Sequence, residues 1–325
     1  HHVGANLKYT YDENIQTQNI GDDIKNSVSR KNMALAGQVT YNYKNRYFID
    51  WNFGYNGSEN FAPGHRFGFF PGIAIGWNLA KEPYWKWPSI STLKLRGSVG
   101  TVGNDRTGSS RFAYLSTTNS AGGFLQGLTQ NSTAGYTEGS VGAGADITWE
   151  KARKINLGME YGMFDDKLTI GVDAFHEKRD GLLIQRSNSV PLAAGFNYSQ
   201  LPYVNKGKSE NKGIEGALNV VPIEQKDLRW EIGFNIAYNK NKITRLTASD
   251  DPSYPGVEDG GISGGVGNKI QIQKVGNPMN SFYVLQQVYD ETGKPLEGIY
   301  VDRNHDGQIT DDDRYVYYKP DADVN

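Results

Sequence analysis

The sequence predicts an all-β fold, an antiparallel transmembrane β-barrel, on three observations. The first is the stretch 228–238. Leu228, Trp230, Ile232, Phe234, Ile236 and Tyr238 alternate there with Arg229, Glu231, Gly233, Asn235 and Ala237. Successive strand side chains point to opposite faces, so this is a strand with one apolar and one polar or small face. The second is length. A soluble strand averages about five or six residues, whereas one that crosses a bilayer needs about 9–11, and long alternations recur along this chain. The third is the connections, which are short and long by turns, as in an outer-membrane barrel with short periplasmic turns and longer extracellular loops.

Taken in order, residues 4–11 form a weak first candidate. Residues 33–43 place Met33, Leu35, Val39, Tyr41 and Tyr43 on one side, and the turn Lys44-Asn45 leads into 46–56, where Tyr47, Ile49, Trp51, Phe53 and Tyr55 share a face. After the polar segment 58–66, residues 67–79 set Phe67, Phe69, Ile73, Ile75 and Trp77 opposite glycines, Ala74 and Asn78. Residues 81–91 break the pattern with Pro83, Tyr84, Trp85, Trp87 and Pro88, aromatics suited to the headgroup level beside a barrel strand. The alternation resumes at 93–103, then at 155–163 and 168–174 around the turn Asp165-Asp166, and at 214–220 and 228–238 around Gln225-Lys226-Asp227. Residues 104–145, 180–208 and 244–268 are the remaining long polar connections, and 270–275 and 281–289 are weaker strands.

Composition agrees and excludes. In 325 residues there are 39 glycines and 20 tyrosines, which suit close strand packing and interfacial rings. The mean hydropathy of -0.60 would suggest a soluble protein, but a membrane barrel shows lipid only every second residue. The net charge of -2 lacks the basic surplus of a nucleic-acid binder. The absence of cysteine excludes disulfides, thiolate metal sites and cysteine nucleophiles. No charged start and apolar run precede the first strand, and the end at Asn325 is polar, so the chain is expected to be an interior portion of a longer polypeptide.

The sharpest local motif is the segment 302–313, Asp-Arg-Asn-His-Asp-Gly-Gln-Ile-Thr-Asp-Asp-Asp. It follows the calcium-loop pattern, with oxygen ligands at positions 1, 3, 5, 7 and 12 and glycine at 6. Asp302, Asn304 and Asp306 would supply side-chain oxygens, Gln308 its carbonyl, and Asp313 a shorter carboxylate where glutamate is usual. A dense carboxylate cluster is costly without a cation, and a flexible loop does not impose magnesium's octahedron. The expectation is one structural Ca2+. The bland alternative is a solvated acidic loop.

Several motifs resemble those of the SusC/RagA-type TonB-dependent transporters. They are Phe69-Phe70-Pro71-Gly72-Ile73-Ala74-Ile75-Gly76-Trp77, Leu93-Lys94-Leu95-Arg96-Gly97-Ser98-Val99-Gly100, Gly103-Asn104 and Trp149-Glu150-Lys151. Glu210-Asn211-Lys212-Gly213-Ile214-Glu215 and Val275-Gly276-Asn277-Pro278 continue the series. The resemblance implies residues 1–325 to be part of a 22-stranded outer-membrane barrel, a size whose lumen is filled by a plug, with the plug outside this chain. It implies a bacterial outer-membrane location in contact with lipid, a SusD-like surface lipoprotein as lid, and energy from the TonB-ExbB-ExbD complex. The cargo it implies is an oligosaccharide or a peptide.

No catalytic constellation assembles, and the expectation is a protein that is not an enzyme. Glu150, Glu160, Asp173 and Glu215 fall on polar strand faces, where lumen charges are hydrated. Gly97–Gly100 and Gly264–Gly267 lack the ending and context of phosphate loops. Two other classes stay open. A passive porin or adhesin barrel would lack a plug, and a soluble calcium-binding β-sandwich of lectin type would purify without detergent and pack its apolar faces in a dry centre.

Overall fold

The computed structural model describes the chain outside residues 16–27, 107–110, 122, 124, 127–130, 133–134, 140, 143, 145, 186–194, 196–199, 247–256, 260–269 and 318–325. It contains two compact units, 1–240 and 241–325. No helix among the described residues is long and apolar enough to cross a membrane, which leaves crossing by strands untouched.

The sheet of the first unit is a meander of nine strands in sequence order. They are β1 (His2–Asn14), β2 (Arg30–Tyr43), β3 (Tyr47–Ser58), β4 (Phe67–Asn78), β5 (Ile90–Asn104), β6 (Glu150–Met163), β7 (Leu168–Gln185), β8 (Tyr203–Glu224) and β9 (Arg229–Arg245). Neighbours from β1 to β8 pair antiparallel. Local chemistry explains the tight ends. Lys44 and Asn45 both take positive φ (52° and 55°) in the three-residue connection 44–46, a turn closed by the Arg46 N–H donating to the Tyr43 carbonyl at 2.9 Å. Phe164, Asp165 and Asp166 also take positive φ between β6 and β7.

Register aligns the alternation across the sheet. One rung passes from Tyr41 through Ile49, Ile75, Gly97, Leu157 and Ala174 to Ile214. This face is not packed: Ile75 is 60% exposed, Leu157 64% and Ile214 58%. An apolar face this broad belongs in hydrocarbon, and it rules out the sandwich reading, which requires the same residues in a dry centre. Near the short turns the rings of Tyr43, Tyr47 and Trp77 follow one another at 6.3 and 6.4 Å. The Trp77 indole N–H donates to Glu82 at 2.9 Å. The expected aromatic break at 81–91 lies at this end too, after a 3-10 turn at Leu79–Lys81, with Trp85 and Trp87 edge-to-face at 4.9 Å.

The strands outrun the expected ranges. β7 continues from 174 to Gln185 and β8 begins at Tyr203. The two ends of the segment 180–208, expected as a long connection, are therefore paired ladder, 180–185 against 203–208, with irregular register near Gly181. The reason is that beyond the bilayer a barrel strand needs no apolar face, so its polar extension carries no alternation signal. In the second unit, Val257–Asp259, Gln271–Gln273, Ser281–Val284 and Tyr315–Tyr317 form a four-stranded sheet around buried Ile272. The expected strand at 281–289 is two strands, its second part (Gln287–Tyr289) pairing with Pro295–Tyr300.

Candidate functional site

The inward face of the sheet is an ion-pair network. Arg96 of β5, Gly158 of β6, Asp173 of β7 and Glu215 of β8 are register partners. The Arg96 guanidinium donates to Asp173 at 2.6 Å and lies 3.1 Å from Glu160, which also pairs with Lys94 at 3.7 Å. Glycine at 158 is what lets these groups meet, because a Cβ there would stand 2.5 Å from the Asp173 carboxylate and 2.9 Å from Arg96 Nε. Higher up, Lys154 pairs with Glu177 at 3.0 Å, and Arg179 bonds the same carboxylate. Sequence placed Glu160, Asp173 and Glu215 on this face but missed Arg96. The alternation through Lys94 and Arg96 was the signal that could have found it. Glu150 does something different. Its carboxylate accepts from the Leu183 backbone N–H (2.8 Å) and the Asn104 amide (2.7 Å), tying three strands where the long connections begin.

Beside that anchor lies the apolar core. Phe61, Phe70, Ile147 and Trp149 are buried together, with Ala113, Tyr114 and Leu183 packed on them. Trp149 meets Phe61 at 5.5 Å and Phe70 edge-to-face at 5.2 Å, and its indole N–H donates to the Arg66 carbonyl at 3.1 Å. The Phe70 ring lies over Gly103, where a Cβ would stand 2.0 Å from it. Asn205 completes the anchor, accepting from Thr148 N–H and donating to the carbonyls of Thr148 and Gly181, at 2.7–2.8 Å. Sequence singled out Phe70, Gly103-Asn104 and Trp149-Glu150 without seeing that they meet.

The acidic loop 302–313 is organised by its own side chains. The two Asp302 oxygens accept from the backbone N–H groups of His305 (2.7 Å) and Gly307 (2.8 Å). Asn304 accepts from Asp306 N–H, and Asp306 accepts from Gln308 N–H and the Asn304 amide. Asp313 is fully buried, enclosed by the loop it organises. It accepts from Thr310, Arg303 and Asn304 N–H at 2.8, 2.7 and 3.3 Å. The Thr310 N–H foremost, with Arg303 and Asn304, holds its carboxyl below the usual range against the opposing effect of desolvation. Thr310 and Asp313 form a reciprocal cap on the 3-10 turn Asp311–Asp313. That Thr-x-x-Asp signal was present in the sequence and was overlooked. Oxygen-only donors suit calcium. As placed, no three His, Cys, Asp or Glu side chains among the described residues cluster closely enough to hold a metal ion. Gly97–Gly100 lies within β5, and Gly264–Gly267 falls outside the described residues.

Comparisons with known proteins agree on one family. The family model "TonB dependent receptor-like, beta-barrel" matches residues 1–318. The TonB-dependent receptor SusC of Bacteroides thetaiotaomicron is 38% identical over 299 residues, which is 90% of this chain and 29% of that protein. The TonB-dependent receptor P3 of Formosa agariphila is 30% identical over 309 residues, again 90% and 29%. This chain thus spans about three-tenths of the length of these relatives. Among solved structures, the RagAB peptide importer matches in its closed-closed state with a TM-score of 0.68 at 20% identity, covering 90% of this chain and 30% of that one. Its open-open state matches at 0.68 and 20%, covering 89% and 29%. At that identity the likeness speaks to fold.

Proposed function

This chain belongs to the TonB-dependent receptor-like β-barrel family, as a SusC/RagA-like barrel portion located in the bacterial outer membrane, and from that premise we propose that it is part of the wall of an active nutrient importer. The observation that carries this reading is the two-faced sheet, apolar outward and ion-paired inward. Residues 1–325 would be one partial barrel, completed by strands and a plug from the longer protein. The Arg96–Asp173–Glu160 network offers that plug charged partners which can exchange salt bridges as it moves. The loops anchored at Trp149 and Glu150 form the mouth, beneath a SusD-like lipoprotein lid. The TonB-ExbB-ExbD complex supplies the energy. Cargo is an oligosaccharide or a peptide; the first is in keeping with the kinship to SusC, the second with a matched fold whose RagAB example imports peptides. The role is transport, not chemical conversion, in keeping with relatives that are receptors.

The test is uptake by a strain carrying the full-length protein, supplied with labelled oligosaccharides or peptides as sole nutrient. Uptake is expected to fail when TonB is deleted. Uptake that survives that deletion would mark a passive pore instead.

The acidic loop is proposed as a structural calcium site of the second unit. Asp302, Asn304, Asp306 and the Gln308 carbonyl would hold the ion, with Asp313 fixing the loop and lending its remaining lone pair. Calcium would supply the positive charge that closely spaced carboxylates call for. Asp302→Ala with Asp306→Ala is expected to abolish the calorimetric calcium signal. A titration curve that does not change in the double variant would refute the site.

A further inference from the structure

A recess of about 120 Å3 opens on the inward face of β5, β6 and β7 at the long-loop end. Register creates it. Val102 of β5, Ala152 of β6 and Arg179 of β7 stand on one rung. The inward rung below holds Lys154 and Glu177, and the one above holds Asn104 and Glu150. Ala152 is the smallest side chain of the group, so the space over it stays open between longer neighbours. Val102 and Leu182 add apolar wall. Pockets that enclose a whole small molecule run to about 300–1,000 Å3, so this recess takes the end of a larger one.

The inward charges here are even, Lys154 and Arg179 against Glu150 and Glu177, but their bonding is not. Both Glu150 oxygens accept, one from the Leu183 N–H and the other from the Asn104 amide. Both Glu177 oxygens are engaged too, one by Arg179 Nε and the other by Lys154 Nζ. Arg179 gives only its Nε–H. Its two terminal nitrogens make no hydrogen bond among the described residues, and the side chain is 53% exposed. Lys151 also lines the recess but alternates toward the other face with Asp180, whose carboxylate pairs with Lys208 at 2.9 Å. The recess therefore has donors to spare and no unengaged carboxylate oxygen. It suits a group that only accepts better than a hydroxyl, which must also donate.

We propose that this recess is a cargo subsite for a carboxylate, bound by the terminal nitrogens of Arg179 and by Lys154, its first carbons lying against Val102, Ala152 and Leu182. A planar carboxylate matches the arginine fork two bonds at a time, and such charge-assisted bonds are roughly twice as strong as neutral ones. Glu177 already holds the guanidinium by its Nε, so little side-chain freedom is lost on binding. The site lies beside the Glu150 anchor, where the long connections begin. The inference rests on the importer reading and narrows it. The oligosaccharide or peptide would carry an acid, either a uronic sugar or a free C-terminus.

The experiment is calorimetric titration of the full-length protein in detergent with trigalacturonate, its methyl ester, penta-alanine and penta-alanine amide. One free acid is expected to bind about tenfold or more tighter than its blocked counterpart, the scale of a hydrogen bond to a charged group. A preference within the sugar pair assigns the acid to a uronic residue, and one within the peptide pair to a C-terminus. Arg179→Gln, and Ala152→Leu, which fills the recess without altering charge, are each expected to abolish the preference. Arg179→Lys should keep only part of it, and Lys178→Gln, on the outward face, all of it. Free and blocked probes that bind alike, no binding by any probe, or a preference that survives both variants would overturn the subsite. Should one variant fail to give a heat-modifiable barrel on a gel, the other is read by the same criteria. Uptake in the TonB-deleted strain separates the two readings. Acid preference without TonB-dependent uptake would sink the importer but not the recess, and TonB-dependent uptake without acid preference would sink the recess alone.

Discussion

Replacing Trp149 by alanine is expected to destabilise the barrel by about 3–5 kcal/mol, the range for removing a large aromatic from a packed core. Trp149 is 6% exposed and lies between Phe61 and Phe70, with Ile147 in the same buried group. Three effects add. The transfer free energy of the indole is lost, a cavity opens beside two rings with few neighbours able to close it, and the Arg66 carbonyl loses its donor. The surroundings cannot collapse freely, because Phe70 is held between Gly68 and Gly103 by close backbone approach. Trp149→Phe keeps the rings in contact and loses only the hydrogen bond and part of the volume, so it should recover more than half of the effect. Guanidinium unfolding of the full-length protein in lipid vesicles measures both. A loss below about 1 kcal/mol for alanine, the typical effect of an ordinary substitution, would show that this cluster is not a core. The same variant should also become more sensitive to protease in residues 112–149, since Trp149 and Glu150 are where that connection joins the sheet.

Phe234→Arg is expected to cost about 2–4 kcal/mol, the penalty for an arginine at the lipid-facing midplane of a membrane barrel. Trp230 and Tyr238 bracket Phe234 on the outward face of β9, about 27 Å apart along an extended strand. Tilt brings that span close to the height of an apolar band flanked by aromatic girdles. Phe234 is thus near the middle, where a guanidinium can reach neither headgroup layer without thinning the bilayer. The neighbouring Asn235→Lys faces the lumen and should change stability little. The informative quantity is the difference between the two variants in the same refolding assay. Equal costs would mean that the alternating apolar face does not meet hydrocarbon.

The alternation was readable because it is a local physical necessity. Each residue of a spanning strand answers to lipid or to lumen, so 228–238 and 46–56 declared themselves residue by residue. The hairpin at Lys44-Asn45 was equally legible, since asparagine tolerates the left-handed turn that its hairpin demands. The upper halves of β7 and β8 were not. Above the membrane their ladder is held by backbone bonds and cross-strand charges such as Lys208 with Asp180 at 2.9 Å, and such residues look like a polar loop in sequence. The acidic loop gave its spacing away but not its internal bonding. Whether Asp313 points at a cation or at the Thr310, Arg303 and Asn304 amides depends on how the chain turns at 310–313.

The sequence by itself determined that the strands are long, that each has one apolar face, and which end of the sheet bears the long connections. Those properties follow from side-chain periodicity and turn chemistry, which act over a few neighbouring residues. Register was decided only in the tertiary structure. It set Arg96 against Asp173 across the gap left by Gly158, brought Trp149 onto Phe61 and Phe70 from a distant stretch, and placed Arg153 opposite Lys178. Pairing between strands is fixed by the sum of many cross-strand contacts, and no single segment carries that sum.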